Sequence, residues 1–200
     1  MRFAIAPNGI FHSIQGEGFY AGHAMRFLRL AGCSVGCAGC DTDYSVGEKL
    51  SLDEIVERLE ALPPTPHLWI TGGEPTDLGD RLGILVDRVW RRYTHVATSG
   101  VRRLEIPGVL WSVSPHGGTL ERASGFEIKL VDGLNGLRLE DYTLWHGGFD
   151  HAYVQPKSFY DALDFEWEPD PRSLAHCLQF VRDHPEWAIS EQRHHAWGVL

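Results

Sequence analysis

The sequence predicts an α/β domain folded as a partial, eroded TIM-like barrel. Strand-like and helix-like segments alternate from Met25 to about Val96, the order that builds a parallel sheet. Between Gly100 and Asp170 no long helix is legible. The chain has 200 residues, whereas a complete eight-unit barrel takes about 250.

The elements follow in order. Met25 to Leu30 reads as a strand running into Ala31-Gly32-Cys33. Ser51-Leu52-Asp53-Glu54 is a capping box, followed at helical spacing by Ile55, Val56, Leu59 and Leu62, and Pro63-Pro64 stops that helix. His67 to Thr71 is a short apolar strand ending at Gly72-Gly73. A second helix carries Leu82, Leu85, Val86, Val89 and Trp90 on one face. Strands follow at Thr94–Thr98, Val109–Ser114, Phe126–Val131 and Ala152–Gln155. Asp170-Pro171 supplies an N-cap and first-turn proline for a helix through Leu174, Leu178 and Val181, which ends near His184-Pro185. Trp187 to Ser190 is the last strand, and Cys177, Trp69, Trp90 and Trp111 are assigned to the core. No repeat, low-complexity segment or linker divides the chain, so residues 1–200 are read as one domain.

Composition narrows the function classes. A hydrophobic fraction of 43% and a charged fraction of 22% fit a globular protein. There is no 18-residue apolar run and Met1 to Gly18 lacks a signal-peptide core, so neither a membrane nor export is expected. A net charge of -9, with no Lys/Arg cluster longer than two, argues against direct nucleic-acid binding.

Chemistry concentrates in Cys33-x3-Cys37-x2-Cys40, with Cys177 far away. In a cytoplasmic protein such a cluster reads as a metal site. Three thiolates on a four-iron cluster leave one iron open, whereas structural zinc wants a fourth ligand. A non-catalytic zinc module completed by Cys177 or one of the eleven histidines is the alternative. Thr71-Gly72-Gly73-Glu74-Pro75 ends the next strand, where glycines allow close approach to the backbone.

The cysteine spacing with this Gly-Gly-Glu-Pro turn resembles the radical S-adenosylmethionine (SAM) superfamily. Phe11-His12-Ser13-Ile14-Gln15-Gly16-Glu17-Gly18 resembles the opening of the 7-carboxy-7-deazaguanine synthases (QueE). Arg29, Ser114-Pro115, Glu127-x-Lys129, Gln155-Pro156 and Ser190-x-Gln192-x-His194 continue that resemblance. His116 stands where the family has lysine, Ala97-Thr98-Ser99-Gly100 replaces Glu-Thr-Asn-Gly, and His195 replaces a second lysine.

The resemblance implies a radical SAM barrel and a carbon–nitrogen lyase. Its reaction would contract 6-carboxy-5,6,7,8-tetrahydropterin to 7-carboxy-7-deazaguanine and ammonia, toward queuosine and related deazapurines. It implies a [4Fe-4S] cluster on Cys33, Cys37 and Cys40, SAM against Gly39, Cys40, Asp41, Gly73, Glu74, Ser114, Pro115, His116, Gln155 and Pro156, and Mg2+ at Thr42. Substrate would meet Ile14, Gln15, Gly16, Glu17, Arg29, Thr71, His194 and the C-terminal Leu200, with Arg29 as the fork for its carboxylate. A flavodoxin- or ferredoxin-type electron donor and a homodimer are implied partners. A radical SAM activase working on a protein shares the cysteine motif and the glycine turn. It has no use for Gln15-Gly16-Glu17-Gly18 or Gln192-x-His194.

Overall fold

The computed structural model describes residues 1–37, 40, 42–116, 120–161 and 166–199. β1 (Arg2–Ile14) pairs antiparallel with β2 (Ala24–Leu30) on one side and with β3 (Glu48–Ser51) on the other. From β2 the sheet continues in parallel through β4 (His67–Gly72), β5 (Tyr93–Thr98), β6 (Leu110–Val113), β7 (Gly125–Val131), β8 (Phe149–Gln155) and β11 (Ala188–Ile189). The nine-stranded order, β11-β8-β7-β6-β5-β4-β2-β1-β3, leaves β3 and β11 at opposite edges, so the barrel is open as expected. β9 (Ser158–Asp161) and β10 (Glu166–Pro169) form a separate antiparallel pair.

Side chains alternate across this sheet. On β2, Leu28 and Leu30 face a core shared with α1 (Leu52–Glu60) and α2 (Asp80–Val89), through Ile55, Leu59, Leu82, Leu85, Val86 and Val89. Phe27 joins Met25 and Trp69 in a separate apolar cluster. Ile128, Leu130 and Val154 pack on Cys177 and Phe180 of α3 (Pro171–Asp183) and on Trp187. The capping box forms as read: Ser51 Oγ accepts from Glu54 N, and Glu54 Oε2 accepts from Ser51 N at 2.7 Å. Asp170 caps α3 through Arg172 N and Ser173 N, with Pro171 in the first turn. In the expected helix-poor stretch the only helical segments among the described residues are 3-10 turns, at Leu134–Gly136, Leu139–Tyr142 and Trp145–Gly148. No helix among the described residues is long and apolar enough to cross a membrane.

Several expectations change. Trp90 is the C-cap of α2 rather than part of its buried face, and it is 40% exposed, its ring covering Gly108. On α3 the buried stripe runs through Cys177 and Phe180, which leaves Leu178 40% exposed. The last strand is only Ala188–Ile189. β1 went unread because its register shifts between Ile5 and Ile10, where Asn8 takes φ +51° within Pro7-Asn8-Gly9, and this breaks the two-residue alternation. α4 (Arg193–Trp197) is likewise too short to show periodicity.

Candidate active site

A cavity of about 320 Å³ opens at the carboxyl ends of the parallel strands, where barrels place their sites. β2 contributes Arg29, β4 Thr71 and Gly72, β7 Lys129, and β8 Gln155, while Ser114 and His116 enter just past β6. Cys33, Cys37 and Cys40 line the same cavity, together with Thr42. All three cysteines are thiols rather than half-cystines.

The cysteine loop and the glycine turn are built on one another. Gly73 N donates to Leu30 O and Glu74 N to Gly32 O, both at 3.0 Å. A Cβ on Gly72 would collide with the Leu30 backbone, and one on Gly73 with Gly32 O and the Cys33 side chain. Gly72 also sits at φ +130°. These glycines are therefore required first by the approach of strand β4 to the cysteine loop. Burial raises the Cys37 thiol above its ordinary pKa; Asn135 works the other way and charge on Cys40 and Cys33 adds to the rise. Metal uptake at Cys37 accordingly releases a proton.

Glu74 is almost fully buried, and its carboxylate is saturated inside the chain. One oxygen accepts from Thr76 N (3.0 Å), Thr76 Oγ1 (2.8 Å) and Thr98 Oγ1 (2.7 Å); the other accepts from Ser99 N (2.8 Å) and Ser99 Oγ. The group read as a cofactor ligand thus fastens the β4 turn to the end of β5. Ser99, which stands where the family motif has asparagine, is one of its donors. Glu74→Ala leaves these buried donors unanswered, so a loss of roughly 3 kcal/mol is expected, about 6 to 12 °C in Tm. Thermal unfolding checks it; an unchanged Tm would show the hub to be dispensable.

The Gln15–Gly18 loop is clamped from three sides. Gln15 Oε1 accepts from Glu17 N at 3.1 Å. Glu127, buried on β7, accepts from Phe19 N (2.9 Å) and Ser112 Oγ (2.6 Å). Ser190 Oγ accepts from Gly18 N at 3.0 Å, and Arg193 N donates to Gly16 O at 3.1 Å. Gly16 has no room for a side chain because His194 lies against it. The Ser-x-Gln-x-His end and the Gln-Gly-Glu-Gly loop are thus one unit, although they are far apart in sequence.

Glu17 Oε2 meets Lys129 Nζ at 2.7 Å, and Glu17 Oε1 accepts from Gln155 Nε2 at 3.2 Å. Burial opposes ionisation of Glu17, but the Lys129 ammonium overrides it, helped by His194 and Gln155, and the pKa falls to about 2. Gln155 Oε1 is buried and accepts no hydrogen bond among the described residues, so it offers an acceptor to a ligand. The Arg29 guanidinium lies 5.2 Å from the centre of the Phe11 ring, within cation–π range.

Ile14, Gln15, Gly16, Glu17, Arg29, Thr42, Thr71, Gly73, Glu74, Ser114, His116, Gln155 and His194 all line the cavity. Pro115 and Pro156 are buried but are not among its lining residues. Gly39, Asp41 and Leu200 lie outside the described residues. Among the described residues, no three His, Cys, Asp or Glu side chains are gathered for a single metal ion. Cys177 is on the buried face of α3, in the second core cluster, and burial pushes its pKa up to about 12, so it is a core residue and no fourth ligand. Two contributors were not assigned roles from sequence. Lys129 shares a strand face with Glu127, a two-residue spacing of charges inside an apolar strand that marks an inward polar stripe. Trp69, only 5% exposed, lines the cavity as well as the core.

No family model matches the chain. Among curated proteins, the 7-carboxy-7-deazaguanine synthase of Bacteroides thetaiotaomicron is 31% identical over 191 residues, covering 94% of each chain. That of Nitratidesulfovibrio vulgaris is 32% identical over 95% of this chain and 96% of its own. The crystal structure of QueE from Escherichia coli matches with a TM-score of 0.68 and 22% identity, over 96% of this chain and 94% of that one, and shows the fold. With that fold, an open barrel carrying three cysteines beside a glycine turn, and relatives alike along nearly their whole length, the chain belongs to the 7-carboxy-7-deazaguanine synthase family.

Proposed function

We propose that this single domain converts 6-carboxy-5,6,7,8-tetrahydropterin to 7-carboxy-7-deazaguanine and ammonia in the cytoplasm. The observation that carries the proposal is one cavity lined by both the cysteine loop and the Gln15–Gly18 loop. The donor set fits a [4Fe-4S] cluster: three thiols with the Gly72–Gly73 turn beside them, and an orphaned acceptor, Gln155 Oε1, in the same cavity. Cys33, Cys37 and Cys40 would hold it. Cluster and SAM together supply the one-electron chemistry that removes and later returns a substrate hydrogen.

The chain supplies binding, orientation and exclusion of water. Arg29 presents a planar two-point fork to the substrate carboxylate. Thr71 and His194 offer hydrogen-bonding groups to the pterin, and Gln15 is already set by its bond to Glu17 N. Phe11, Phe27 and Trp69 form an apolar wall that excludes water around a reactive substrate radical. Ser114 and Gln155 serve SAM. Thr42 would give one hydroxyl to Mg2+, which would help to offset the substrate carboxylate charge. A flavodoxin- or ferredoxin-type protein would deliver the electron, and the working unit would be a homodimer.

The Gln15–Gly18 loop, held by Ser190 Oγ and Arg193 N against the cavity it lines, favours a small-molecule substrate over an activase's protein partner, because an activase has no use for these motifs. The test is anaerobic ammonia release from the pterin by cluster-loaded protein. Release that needs SAM and a reductant, and that Cys33→Ala abolishes, is expected. One zinc and no acid-labile sulfide per chain would return the zinc module to the front.

A further inference from the structure

His116 occupies the third position of Ser114-Pro115-His116, just beyond β6. Its Nδ1 lies 3.1 Å from Cys37 Sγ, a hydrogen-bonding distance for sulfur. The backbone behind it is pinned, because Asn135 Nδ2 donates to His116 O at 3.0 Å. Asn135 is held in turn by the Leu134–Gly136 turn, with φ +49°. The imidazole is therefore aimed at the sulfur from a fixed platform, as a flexible lysine stem would not be.

We propose that His116 is a positioning residue acting through Cys37: its Nδ1–H donates to the ligating sulfur and raises the reduction potential of the cluster. The inference rests on the deazaguanine synthase reading, since it needs the cluster that Cys33, Cys37 and Cys40 would hold. A ligating thiolate only accepts, so the bond selects the tautomer with its proton on Nδ1. Reduction adds negative charge to the cluster and its sulfurs, so a donor to sulfur stabilises the reduced state more than the oxidised one. The residue at this position thereby acts on the ease of the first electron transfer rather than on SAM.

The experiment is a redox titration of the reconstituted protein without SAM, followed by electron paramagnetic resonance, with iron and sulfide measured on each sample. His116→Leu and His116→Ala remove the donor, while His116→Asn keeps an N–H near the place of Nδ1. The expected result is a lower midpoint in the Leu and Ala variants. Their reduced-to-oxidised ratio at a fixed potential falls about tenfold, equivalent to 59 mV for one electron. The Asn variant stays within about threefold of the unaltered chain. A full cluster with an unmoved SAM-free midpoint in the Leu and Ala variants overturns the inference alone. An Asn variant displaced as far as Leu also overturns it, because packing rather than the donor would be the cause. An unaltered chain that binds no iron–sulfur cluster overturns the synthase reading and this inference together.

Discussion

Replacing Lys129 by methionine is expected to lower kcat/KM about a hundredfold or more. The Lys129 side chain is 7% exposed, and its ammonium pairs at 2.7 Å with Glu17, which sits in a loop that lines the cavity. Taking away one member of a buried pair strands the other charge, at a typical cost of about 3–5 kcal/mol. The Glu17 side chain retains 19% exposure, so roughly 3 kcal/mol of folding stability is the better figure. The rate loss arises separately, from the displaced loop, since a misplacement of about 1 Å in a site costs on the order of a hundredfold. The loss appears as displacement of Gln15 and Gly16 as well as reduced stability. The double variant Glu17→Gln/Lys129→Met leaves no stranded charge, so it regains most of the stability but little of the activity. Kinetics unchanged in Lys129→Met would mean that the pair does not set the loop. The pair also has an acid limit. Glu17 has a lowered folded-state pKa of about 2, so its contribution is full above the ordinary carboxylate value and is lost as pH falls toward 2.

Mild acid should weaken the fold through His95. Its ring is fully buried between β4 and β7, stacked on Trp69 at 5.0 Å and with its Nε2 3.3 Å from His67 Nδ1. Tyr20 and Phe126 close the other sides. Burial first, and His67 second, lower its pKa to about 3, while an unfolded histidine titrates near 6.5. The sign follows directly: below pH 6.5 the unfolded chain takes up a proton that the folded chain refuses, so stability falls with pH until about 3. The stability lost is about 2 kcal/mol by pH 5 and on the order of 4–5 kcal/mol by pH 3. Urea unfolding at pH 7 and pH 5 reads this out. The drop between the two should shrink by most of those 2 kcal/mol in His95→Gln; an equal drop in both proteins would contradict the assignment.

Much of this architecture was legible because its signals are local. A capping box at Ser51, a proline-led helix after Asp170 and apolar strands ending in glycine are each written within a few residues. β1 was not, since its bulge at Asn8 destroys the alternation that marks a strand. Leu178 and Trp90 were misplaced because a helical stripe is about 100° wide, and sequence alone does not say which edge meets the sheet. The site divides in the same way. Cysteine spacing and the glycine turn announce themselves, whereas the Glu17–Lys129–Gln155 network joins three distant segments and exists only once β7 and β8 stand side by side. Glu74 shows the limit of motif reading, for its type was legible but its partners, Thr98 and Ser99, were not.

The most direct test is mass spectrometry of an anaerobic reaction containing cluster-loaded protein, SAM, a reductant, Mg2+ and 6-carboxytetrahydropterin. The account predicts 7-carboxy-7-deazaguanine, formed over many turnovers per SAM and absent in Cys33→Ala. A fully loaded protein that cleaves SAM yet leaves the pterin intact would contradict it.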